Sequence, residues 1–89
     1  MTTDIQQTLA EREKTHGRFS TQSQTAQELK ELMRGTQWWD TLQPHQREAL
    51  ELIATKISRI LNGNPMWQDS WHDIAGYATL VANNLTEEK

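Results

Sequence analysis

The chain contains no cysteine. That absence excludes disulfides and cysteine-ligated zinc, two devices that stabilise small folds, and it suits a reducing cytosol. At 89 residues the chain is a single domain, residues 1–89, and a domain of this size buries only a modest fraction of its surface. With disulfides excluded, association with further copies is the expected source of the missing stability, so a homo-oligomer is anticipated. A lysine and arginine cluster is missing too: nine basic residues are scattered among twelve acidic ones, for a net charge of −3. Without such a patch direct DNA binding is not expected. Long carboxylate runs that could imitate a phosphate backbone are likewise absent. The opening residues, Met1 to Ala10, lack the apolar stretch of a signal peptide, which points to a cytoplasmic protein with no membrane contact. His16, His45 and His72 fall in no triad or metal spacing, so covalent catalysis has no support. No repeat, low-complexity tract or strand pattern is visible.

What is present is helical periodicity. Leu50, Ile53, Ala54, Ile57, Ile60 and Leu61 recur at steps of three and four, predicting a helix from Pro44 to Leu61. Pro44 suits its first turn, Thr41 is a candidate cap, and Asn62-Gly63-Asn64-Pro65 offers a left-handed C-terminal residue and a stop. A second helix, from about Met66 or Gln68 to Leu85, carries the stripe Trp67, Trp71, Ile74, Ala78, Val81 and Leu85. The short linker makes these an antiparallel hairpin, with Leu50, Ile57, Ile74 and Ala78 among its expected buried positions. Upstream, Thr2 to Thr15 is apolar-poor, so residues 1–15 form a helix expected to be mobile or swapped between copies. His16-Gly17 breaks the pattern, and Ser20 or Thr21 could cap a further helix that ends at Arg34-Gly35. Thr36 to Gln43 reads as a loop holding Trp38 and Trp39. The fold class expected is all-α: a small bundle with a C-terminal hairpin, completed by oligomerisation.

Charge along the hairpin suggests chemistry. Asp69 and Asp73 stand four apart on one side of the last helix, where Gly76, Tyr77 and Leu80 also fall. That side looks like a second packing surface. Glu48 and Glu51 are neighbours on the preceding helix, with Lys56 and Arg59 further along it. Four carboxylates on two adjacent helices form the kind of oxygen cage that holds Mg2+, and a basic rim would hold phosphate. The metal set is therefore Glu48, Glu51, Asp69 and Asp73, and the nucleotide-binding set is Lys56, Arg59, His16 and Tyr77. The same charges also suit their helix dipoles individually, acids near N-termini and bases near a C-terminus.

Glu11-Arg12, His16-Gly17-Arg18-Phe19, Lys56-Ile57-Ser58-Arg59-Ile60, Asp69 and Asp73-Ile74-Ala75-Gly76-Tyr77-Ala78 resemble the markers of a family of small phage and prophage proteins. That family is distantly similar to the all-α NTP pyrophosphatases of the MazG-like type. The resemblance implies a helical oligomer that hydrolyses nucleoside triphosphates to monophosphate and pyrophosphate, with magnesium held by acidic residues on two helices. The pyrophosphatase signature is Glu-Glu-x-x-Glu followed by Glu-x-x-Asp. Here Arg47 replaces one expected Glu, and the second pair is spaced Asp69-x-x-x-Asp73. Such a cage is compatible with binding a nucleotide as well as with cleaving it. The function expected is phage-derived nucleotide handling through a magnesium-carboxylate site, in the host cytosol. The alternative is a host-takeover or anti-defence protein that binds a host protein through Trp38 and Trp39, since aromatic anchors dominate such interfaces.

Overall fold

The computed structural model describes residues 2–87. It is all-helical, with no strand among the described residues: α1 Thr2–His16, α2 Phe19–Arg34, a 3-10 turn Trp39–Thr41, α3 Pro44–Asn62 and α4 Gln68–Glu87.

Local chemistry sets most of these ends. Pro44 opens α3, but its cap is Gln43 rather than Thr41: Gln43 and Gln46 form a reciprocal capping box in which Gln46 Oε1 accepts the Gln43 backbone N–H at 2.8 Å. Thr41 instead closes the 3-10 turn through its hydroxyl on Trp38 O. Helix α2 begins at Phe19, directly after an extended Arg18 and without a side-chain cap, so Ser20 and Thr21 lie inside it. Gly35 ends it, its N–H donating to Glu31 O and Leu32 O.

Helix α3 is the central element, packed between α2 and α4. Both neighbours run antiparallel to it, as the Arg34–Glu51 and Lys56–Asp73 pairs record. Small residues fill the contact: Ala26, Ala49, Ala54 and Ser58 are buried, with Trp39 as the one aromatic side chain buried among the described residues. Ser58 satisfies its hydroxyl on Thr55 O at 2.6 Å, as a buried donor must. Burial on α4 departs from the expected stripe. Ser70, Asp73, Ile74, Tyr77, Val81 and Asn84 turn inward, whereas Trp71, Ala78 and Leu85 are exposed, and on α3 Leu50 is exposed as well. The inward face of α4 is turned by about 70° from the expected stripe, with Ile74 and Val81 common to both; the small Ser70 lies in the contact, and Asp73 pairs with Lys56 of α3. Of the four positions expected to be buried, Ile57 and Ile74 are half-buried while Leu50 and Ala78 are not buried.

Two glycines lock the helical turns together. Gly17 has φ +79°, the left-handed conformation that glycine adopts without strain, and a Cβ there would run into Asn62 O at the end of α3. Gly63 takes φ −130°, not the left-handed value expected for this turn. Its requirement is one of space: a Cβ on Gly63 would collide with Thr15 O and approach His16 Cα to 2.7 Å. Asn64 N–H then donates to Thr15 O at 2.8 Å. The α1–α2 turn is thus seated on the α3–α4 turn, backbone against backbone.

Gly17→Ala should therefore lower stability by at least about 2 kcal/mol, combining a left-handed penalty with a steric clash. For a domain this small that is roughly 10 °C in Tm. A thermal melt within a degree or two of the parent protein would contradict the seated-turn arrangement.

Candidate functional site

The seated turns bring the C-terminal half of α1 over the groove between α3 and α4. A cleft of about 390 Å³ results, lined by Glu11, Arg12 and His16 of α1, Lys56 and Arg59 of α3, Trp67 just before α4, and Asp69 and Asp73 in its first turns. Three cations surround one imidazole. Lys56 Nζ donates to Asp73 Oδ2 at 2.9 Å, and its side chain is only 16% exposed. Arg59 Nε donates to Oε1 of the buried Gln22 at 3.3 Å, which holds the guanidinium in place. Glu11 and Asp69 are exposed.

The electrostatics follow the geometry. Burial, reinforced by the positive charges of Arg59, Arg12 and Lys56, holds the His16 pKa below its usual 6.5, because both effects penalise the imidazolium. At neutral pH His16 is an uncharged ring among cations, with Nδ1 3.3 Å from the Thr15 hydroxyl. The Asp73 carboxyl is held below its usual 3.8, chiefly by the hydrogen bond from Lys56.

A second cleft of about 460 Å³ adjoins the first, and the two share Arg12, His16 and Arg59. Its remaining wall includes Leu9, Arg18, Phe19 and Gln22, with Phe19 79% exposed. The first cleft thus sets Arg12, Lys56 and Arg59 beside Glu11, Asp69 and Asp73, and the second adds the Arg18–Glu13 pair next to the exposed Leu9 and Phe19.

Of the anticipated site residues, five meet here: His16, Lys56, Arg59, Asp69 and Asp73. Three do not. Glu51 faces α2, where its carboxylate receives Arg34 Nη2 at 3.3 Å. Glu48 and Tyr77 line a different groove with His45, Leu52, Leu80 and Asn84. The four-carboxylate cage is thus not assembled, since Glu51 faces α2 and Glu48 stands about two turns along α3 from Lys56 in a separate groove. Among the described residues no three histidine or acidic side chains cluster in a way that could hold a metal ion. The aromatic anchor is also altered: Trp39 is buried at 7% exposure, which leaves Trp38 alone at the surface. Sequence reasoning did not assign Arg12, Arg18, Phe19 or Gln22 to the site. The first three sit within the Glu11-Arg12 and His16-to-Phe19 runs that carried the family resemblance, and that was the available signal.

A family model described as a domain of unknown function, DUF6378, matches residues 3–85. The chain belongs to the DUF6378 family. No curated protein and no solved structure matches it. The matched span of this DUF6378 chain takes in α2, α3, nearly all of α1 and α4, and every residue of both clefts. No helix among the described residues is long and apolar enough to cross a membrane.

The depressed His16 pKa has a consequence for stability. A group whose folded pKa lies below its unfolded value contributes stability that is present above the unfolded pKa and lost as pH falls through the folded one. The fold should accordingly weaken as pH drops below about 6.5, and His16→Gln should flatten that slope. Urea unfolding of both proteins at several pH values checks this, and a His16 NMR titration midpoint at or above the unfolded value would refute it.

Proposed function

We propose that this protein binds a nucleotide, gripping the phosphates in the cleft of Arg12, Lys56 and Arg59 and the base against Leu9 and Phe19. The observation that carries the reading is the convergence of three cations from two helices on a neutral His16. Arginine forks match phosphate oxygens in pairs of hydrogen bonds, lysine adds a point charge, and an uncharged imidazole supplies a further donor. Lys56 is paired with Asp73 in the free protein, so an incoming phosphate competes with that carboxylate for the ammonium. The adjoining apolar wall suits a base, because an aromatic face stacks on any of them. The reading is one of binding. With Glu48 and Glu51 remote and Asp73 paired to Lys56, these side chains do not fit a resident magnesium ion.

Calorimetric titration with mono-, di- and triphosphate nucleotides and with inorganic phosphate, with and without magnesium, tests the reading. Hydrogen bonds to charged groups contribute about 1.5–3 kcal/mol. Arg59→Gln should therefore weaken binding by roughly ten-fold or more. Asp73→Asn separates this reading from a carboxylate cage: it frees Lys56 and should preserve or tighten binding, whereas a cage would lose metal-dependent binding. Bound phosphate should also raise the His16 titration midpoint, since the added negative charge offsets its cationic neighbours. No heat from any nucleotide, or unchanged affinity in Arg59→Gln, would rule the proposal out.

A further inference from the structure

The apolar stripe written along the C-terminal hairpin is only half used within one chain. Leu50 and Leu61 of α3 are exposed, Leu61 by 68%, and Ile57 is half-buried. On α4, Trp71 is 55% exposed, Ala78 is exposed and Leu85 is 37% exposed. At about 100° per residue, Leu50, Ile57 and Leu61 lie across α3 from Leu52, Lys56 and Arg59, which line the grooves on the α1 side. By the same spacing Trp71, Ala78 and Leu85 lie on the side of α4 opposite Asp69, Asp73 and Leu80. The two rows are adjacent and make one face, turned away from α1. Its one charged residue is Arg47, at the start of the α3 row.

The chain as a whole also carries more surface than a monomer of its mass. A folded monomer of 10.3 kDa exposes about 5,400 Å². This chain exposes 6792 Å², an excess of about 1,400 Å² over that scaling. Its radius of gyration is 15.3 Å, where a compact chain of this length has about 12 Å. A standard interface removes about 800 Å² from each partner, which the excess can supply.

We propose that a second copy of this chain covers the α3–α4 face, with the two α4 helices crossing antiparallel about a two-fold axis at Ala78. A two-fold axis pairs positions equally spaced on either side of it, so Trp71 of each copy meets the partner's Leu85. At the crossing the small Ala78 side chains allow the helix axes to approach to about 8 Å. Helix α4 then buries the stripe its periodicity encodes, while its Ser70–Asn84 side keeps its contact with α3. This assembly is independent of the nucleotide reading, since the face lies across the hairpin from both clefts.

Sedimentation at micromolar concentration should give twice the chain mass. Ala78→Glu and Leu61→Glu, each at an exposed position and each retaining a good helix former, should give monomers with an unchanged far-UV circular dichroism spectrum. Leu9→Glu, on the exposed side of α1, should leave the dimer intact. Because the chain has no cysteine, Ala78→Cys supplies a second measurement that does not depend on a disruptive variant. Mild oxidation of the dilute full-length protein should link it rapidly into covalent dimers, and Leu9→Cys should not link. A monomeric parent protein, a dimer that survives Ala78→Glu, dissociation by Leu9→Glu, or equal crosslinking from both cysteine positions would each overturn the proposal.

Discussion

The close approach of two backbone turns governs the arrangement. Gly17 sits against Asn62 O, Gly63 sits against Thr15 O and His16 Cα, and the Asn64 amide donates to Thr15 O. No side chain intervenes, so the distance between the α1–α2 turn and the α3–α4 turn is fixed by main-chain atoms. Everything in the candidate site follows from that distance. His16 ends α1 directly before Gly17, Arg59 sits in the last turn of α3, and Asp69 opens α4. Seating the turns therefore places one residue from each helix end around a single cleft. Without the contact, α1 would have no reason to lie over the α3–α4 groove, because Ile5 and Leu9 remain exposed and add little to its packing.

The number, type and approximate ends of the helices were legible because each rests on local pattern: three-four spacing, Pro44 at a first turn, Gly17 and Gly35 as stops. The rotation of α4 was not legible. Hydrophobic periodicity identifies an apolar face but not which neighbour covers it, and here Ser70 and Asp73 take the inward positions while Trp71 and Ala78 lie outside. Caps were ambiguous for a related reason. Thr41 is as good a candidate as Gln43 until the 3-10 turn consumes it.

The site was legible in part. Lys56, Arg59, Asp69 and Asp73 were found because they project from one side of the hairpin, which intrahelical spacing can reveal. Glu51 was misplaced because its true partner, Arg34, lies on α2 and is invisible to spacing within the hairpin. Arg12 and Phe19 enter the clefts only through the packing of α1 and the start of α2, a tertiary relation that no local pattern carries. The electrostatic outcome differs accordingly: in place of four carboxylates, the cleft gathers Arg12, Lys56 and Arg59 with Glu11, Asp69 and a paired Asp73 around His16.

The unequal anchoring of the helices also sets an order in which the molecule opens. Helices α2 and α4 each lie along α3, whereas α1 is held mainly at its C-terminal end. Local opening free energies follow such differences in packing, so the amides of α1 exchange with solvent water before those of α3. Helix α1 also supplies Arg12 and His16, and its departure exposes Lys56 and Arg59 while leaving them on an intact hairpin. Fraying of α1 and uncovering of the cleft are thus one event, so access to its side chains is set by the local unfolding of a single helix.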